Sequence, residues 1–110
     1  ATDVILRLTV RRDFSIESPQ FHLPAGAEVE DARTSFHVCT GVGPDLMEAS
    51  RDAVRATIAH LGDRYGLERE EAYAVASVAA DLRIHEVVDA PNWVVGAFIP
   101  EAIFEGGRWR

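Results

Sequence analysis

Cysteine is almost missing from this 110-residue chain: Cys39 stands alone, so there is no internal disulfide framework and no CxxC metal knuckle. That usage suits a reducing compartment, and the cytoplasm is the expected location. There is no run of 18 apolar residues and no basic-then-apolar leader, so neither a membrane span nor a signal peptide is expected in this stretch. Clustered positive charge is missing too. With a net charge of -7 and no basic stripe interleaved with aromatics, the chain repels phosphate backbones, which argues against nucleic acid and anionic membrane as partners. Internal repeats and low-complexity stretches are absent. The only methionine is Met47 and the chain opens at Ala1, which leaves two readings: a trimmed initiator, or a piece of something longer.

What is present is ordinary globular sequence, 47% hydrophobic and 26% charged, sized for a single domain over residues 1–110. From Asp3 to Arg11 it alternates, Val4, Leu6, Leu8 and Val10 against Ile5, Arg7, Thr9 and Arg11, which predicts a half-buried antiparallel strand inside the sheet. Pro19, Pro24 and Gly26 punctuate Asp13 to Arg33, leaving a short extended piece around Phe21 to Leu23 on an edge or in an ordered loop. Thr34 to Thr40 reads as a strand and Gly41-Val42-Gly43-Pro44 as the loop after it.

The period changes at Asp45. Met47, Ser50, Val54, Thr57, Ile58, Leu61 and Tyr65 fall on one stripe of a helix that Asp45 and Glu48 cap and Gly66 ends. A second helix is expected from about Glu68 to Ala80, with Ala72, Val75, Ala76 and Ala79 inward and Glu70 and Glu71 at its positive end. Leu82 to Val88 reads as a short strand or a turn. Trp93 to Ile99 is a wholly apolar strand stopped by Pro100, and the tail holds Ala102-Ile103-Phe104 and then Gly106-Gly107. The expected fold class is α+β, a small antiparallel sheet packed against two helices.

The candidates for chemistry are few. Cys39, His37 and Asp45 could form a nucleophilic set on paper, but no elbow such as GxSxG presents Cys39, and a small buried residue is the competing reading. His22, His37, His60 and His85 lack HxH, HxxxH or HExxH spacing, so no metal site is assigned within this chain, although His22 and His37 come from two candidate strands able to converge. Asp81, His85 and Asp89, with Arg83 and Glu86, form the densest polar cluster beside apolar sequence and are the candidate acid–base residues; the alternative is a local Asp81–Arg83 salt bridge. Asn92 and Trp93 are candidate substrate contacts, or a rigid turn with a buried tryptophan. Gly41 to Asp45 lacks the Lys-Ser/Thr of a P-loop and the third glycine of a dinucleotide fingerprint.

One longer pattern stands out between Thr40 and Phe104. Thr40-Gly41, Asp45-Leu46-Met47-Glu48-Ala49, Tyr65-Gly66-Leu67, Glu71-Ala72-Tyr73, Asp81-Leu82-Arg83-Ile84, Val87-Val88-Asp89, Pro91-Asn92-Trp93 and Ile99-Pro100 resemble, in order and spacing, the C-terminal portion of the acetamidase/formamidase family. Glu68, where a Ser or Thr cap is usual, and Ala80, where glycine is common, depart from it. The resemblance implies hydrolysis of formamide or acetamide to a carboxylate and ammonia, a larger β-rich amidase fold, and a divalent metal such as zinc in the complete enzyme. It also implies that a His- and acid-rich stretch preceding Val4 carries the chemistry. The expected partner is then an N-terminal amidase portion or subunit, in a homo- or hetero-oligomer. The alternative is a non-catalytic assembly or small-ligand-binding domain.

Overall fold

Helix and strand follow the change of period in the sequence, and their packing follows the placement of the smallest residues. The structure, a computed structural model, describes residues 2–26, 34–105 and 108–109. The elements are β1 (Gln20–Leu23), β2 (Phe36–Gly43), α1 (Leu46–Tyr65), α2 (Arg69–Ala79), β3 (Asp81–Glu86) and β4 (Trp93–Pro100); a 3₁₀ turn (Glu101–Ile103) and a small hairpin of β5 (Phe104–Glu105) and β6 (Arg108–Trp109) follow. The main sheet has the order β1-β2-β4-β3 with every neighbouring pair antiparallel. β2 and β3 therefore run parallel to each other, joined by the helical pair, and β4 lies between them.

This is the expected α+β class, with Trp93 to Ile99 at the centre of the sheet and Phe21 to Leu23 on an edge. Leu82 to Val88, open in sequence, resolves into a strand over Asp81–Glu86 on the other edge. Gly41 to Gly43 continues β2, where a loop was expected. The reason lies in the helix above it. A Cβ at Gly41 would overlap the Ala49 carbonyl oxygen and lie 2.8 Å from Ala53 N, so the bare backbone lets α1 settle directly on the strand.

The buried seam of α1 is Ala49, Ala53, Thr57 and Leu61, an i, i+4 row. It differs from the expected stripe, which shares Thr57 and Leu61 but otherwise lies to one side. Met47 is exposed, and Ser50, Val54 and Ile58 are only partly covered. Size explains the shift, because Ala49 and Ala53 fit against Val95 and Ala97 where Met47 and Val54 would hold the helix away. Leu61 begins the larger core with Ala72, Val75, Ala76, Ile99 and Phe104. Asp45 caps α1 through Oδ1, which accepts from Glu48 N at 2.8 Å, and Gly66 ends it with φ 70°. Glu68 makes no side-chain cap to α2.

The N-terminal expectation needs correcting. Residues 2–19 include no strand, and the alternating stretch lies outside the sheet with Val4, Leu6, Leu8 and Val10 on the surface. Alternation specifies a strand only when an edge is there to receive it, and both edges of this sheet lie elsewhere. Part of the Asp13 to Arg33 loop and the Gly106-Gly107 pair fall outside the described residues.

Candidate functional site

The helix-facing side of β2 carries His37, Cys39 and Gly41, since residues two apart share a face and α1 covers Gly41. Register brings Gln20 opposite Cys39 and His22 opposite His37, so β1 adds two polar side chains to that same face. The last turns of α1 lower His60 onto His37, with ring centroids 3.6 Å apart and planes 3° from parallel. His37 Nε2 lies 2.9 Å from Gln20 Oε1; with the amide oxygen as acceptor, Nε2 carries the hydrogen and Nδ1 is the basic atom. His60 meets Tyr65 edge to face at 6.2 Å, and Tyr65 stacks on Phe104 at 3.6 Å.

Glu101 closes the group from beyond the end of β4. Its Oε1 lies 2.6 Å from His22 Nε2, within ion-pair range, yet the alignment is too poor for a hydrogen bond and this buried oxygen has no well-aligned donor. Burial pushes His60 down to about 4, helped by His37 alongside and opposed by Glu101. His37 is lowered chiefly by burial, with Glu101 again opposing. Tyr65 is raised, first by burial and then by Glu101. Two stacked imidazoles that both stay neutral at neutral pH are the outcome, flanked by a carboxylate and a phenol.

This geometry does not fit a metal ion. The lone pair of an imidazole nitrogen lies in the ring plane, so two parallel rings aim theirs side by side instead of at one point. Among the described residues no group of three or more His, Cys, Asp or Glu side chains is arranged to hold a metal. What the cluster offers is proton acceptance at low pH and a polar contact between helix and sheet.

The other candidates are spread along β3 and its turn. Asp81 forms an ion pair with Arg83 at 3.3 Å, the local arrangement considered above. The Arg83 guanidinium also lies 4.7 Å over Phe98, on the sheet face away from the helices. His85 stacks on Phe98 at 5.5 Å, meets Phe21 edge-on at 6.0 Å, and crosses Gly96, where any Cβ would overlap its Nε2. Asp89 raises the pKa of Glu86 through a shared side-chain hydrogen bond. Asn92 N donates to Asp89 O at 3.1 Å in the turn, after a cis Ala90–Pro91 bond, and Trp93 opens β4 half-buried. Asp81, His85 and Asp89 thus contact Arg83, Phe98 and Glu86 respectively.

Cys39 is buried, and that burial pushes its thiol up to about 11 despite a hydrogen bond with Thr57. The thiolate a nucleophile requires is strongly disfavoured. A groove between α1, α2 and β3 was not anticipated; it is lined by Met47, Val54, Ile58, Tyr73 and Leu82, with Arg51, Arg55 and Arg69 at its border. Sequence reasoning missed the His37–His60 stack because residues so far apart leave no local spacing signal. It placed Met47 and Val54 on the buried stripe, and they line this groove instead.

A family model described as Acetamidase/Formamidase family matches residues 5–106. Searches of the curated proteins and of the solved structures each find no match. No helix among the described residues is long and apolar enough to cross a membrane.

Proposed function

This chain belongs to the acetamidase/formamidase family, and on that premise we propose that it is the C-terminal part of a short-chain linear amide hydrolase. In that role it acts in the cytoplasm with an N-terminal amidase portion or subunit. The overall reaction adds water across the amide: the carbonyl carbon gains an oxygen, the C–N bond breaks, and ammonia leaves with a proton. The observation that carries the reading is the family match, which runs through nearly the whole chain.

The chemistry of the residues supports a division of labour. Amide hydrolysis needs an activated water or nucleophile, a group that polarises the carbonyl and a proton donor for the leaving amine. Cys39 is a poor nucleophile with its thiol near 11, and the stacked His37 and His60 do not converge on a metal. The described residues therefore act as a frame, and the divalent metal that the resemblance implies belongs with the N-terminal portion. Asp81, His85, Asp89, Asn92 and Trp93 are the positions of this chain proposed to meet the substrate side of the assembled enzyme.

The test mixes the pure chain with the N-terminal portion of a family member and zinc, and measures ammonia released from formamide and acetamide. Activity in the mixture, and in neither part alone, is expected. Ammonia release by this chain alone, or an inactive mixture in which the two parts demonstrably bind, overturns the reading. The second reading, a non-catalytic assembly domain, is favoured by one observation, the solvent-exposed apolar run from Val4 to Val10.

A further inference from the structure

The groove between α1, α2 and β3 is apolar inside and basic at its border. Val54 and Ile58 are partly buried in it, whereas Met47, Tyr73 and Leu82 leave 60%, 60% and 50% of their surface open around it. Its volume of about 600 Å³ falls in the range of small-molecule sites, which are mostly apolar with a few charged groups that fix orientation. The cations here are Arg51 and Arg55, one turn apart on α1, and Arg69, the first residue of α2. Glu70 is the one acid among the described residues that line the groove. Three of the chain's 11 arginines thus border one concavity against one of its 18 acids, the reverse of the overall charge of -7. Arg69 forms no ion pair or side-chain hydrogen bond among the described residues. Arg51 pairs with Glu48, and Arg55 with Asp52 and Glu48, all through Nη1; such exposed pairs are weak and leave the other guanidinium nitrogens open.

We propose that this groove binds an amphipathic organic anion, a carboxylate whose aliphatic tail lies against Val54, Ile58 and Leu82 and whose head group is held at Arg69, with Arg51 and Arg55 adding attraction. The planar guanidinium matches a carboxylate with two parallel N–H donors, which selects this head group over a cation or an alcohol. The tail must be several carbons long, because acetate has too little apolar surface to gain from the lining, whereas each further methylene placed there adds to the binding. Selectivity for an anion is local to this site, since a protein of charge -7 repels anions as a whole. The exposed run from Val4 to Val10 is a poor occupant, because its Arg7 would bring positive charge to a positive border. The inference does not rest on the amidase reading, since it concerns this chain alone.

Met47 is the only methionine and lines the groove, so its carbon-13-labelled methyl group reports on this site alone in NMR spectra of the full chain. Titration with octanoate is expected to shift that signal to saturation, and octanoate should bind roughly 4-fold or more tighter than hexanoate. Octylammonium and octan-1-ol, of the same tail length, should bind more weakly than octanoate. Arg69→Gln should weaken octanoate binding by roughly 5-fold, the loss of one exposed charge pair, and should leave far-UV circular dichroism unchanged because the side chain is on the surface. Arg64→Gln removes the same charge near the end of α1, where it does not line the groove, and should leave binding unchanged. Absence of a saturable Met47 shift overturns the proposal. So does octylammonium or octan-1-ol binding as tightly as octanoate, which would mark the groove as a seat for an apolar segment, and so does equal loss in Arg69→Gln and Arg64→Gln.

Discussion

His37 and His60 lie face to face, ring centroids 3.6 Å apart and planes 3° from parallel, where the end of α1 meets the outer part of the sheet. The contact joins β2 to α1 through two groups that titrate, so acid acts directly on the packing of helix against sheet. The groups around them are Gln20 and His22 on β1, Asp63, Arg64 and Tyr65 on α1, and Glu101 after β4.

Both imidazoles hold their protons less tightly in the fold than in the unfolded chain, His60 down to about 4 from 6.5. As pH falls the unfolded chain therefore takes up these protons first. The stabilisation is complete above about 6.5 and is lost as pH falls toward 4. Because both rings are partly open to solvent, the loss should be about 1–2 kcal/mol instead of the full shift. Urea titrations at pH 7.5 and 4.5 measure it, and His60→Gln should remove at least half the difference. An unchanged pH dependence in that variant would refute the assignment.

Gly41→Ala should be among the most damaging single changes, because the new Cβ overlaps the Ala49 carbonyl oxygen and backbone cannot turn aside. A loss of at least ~3 kcal/mol is expected, the upper end for overpacking. Gly96→Ala is the control. Its Cβ meets the exposed His85 ring, which can give way only by leaving its stack on Phe98, and lies 3.0 Å from Val38 Cγ1, so a smaller loss of about 1–2 kcal/mol is expected from chemical denaturation.

Leu61→Ala should cost about 2–5 kcal/mol, since this fully buried side chain joins α1 to α2, β4 and Phe104. Asp45→Ala should cost only about 1 kcal/mol, the usual effect of losing an N-cap bond such as that from Glu48 N. If thermal melts place the two variants in the reverse order, the assignment of the core to Leu61 is wrong.

Cys39 should be inert toward a thiol-specific disulfide reagent at neutral pH in the folded chain and react fully once urea unfolds it. Burial raises its pKa to about 11 and blocks access together. Fast stoichiometric labelling of the folded chain would contradict this and reopen a nucleophilic role.

The sequence alone determined the elements whose signals are local. The cap at Asp45, the stop at Gly66, the long α1 and the apolar β4 all depend on neighbours within a turn or a pleat, and so does the order of motifs that carries the family resemblance. Only the tertiary structure decided which face of α1 is inside, because that depends on Gly41 and Ala97 being small at places distant along the chain. It also decided that His22, His37, His60 and Glu101 share one corner, which follows from β1–β2 register and the length of α1 and not from any spacing between histidines. The run from Val4 to Val10 marks the boundary between the two. Alternation specified how it could pair, but pairing needs an edge, and the fold places both of its edges elsewhere.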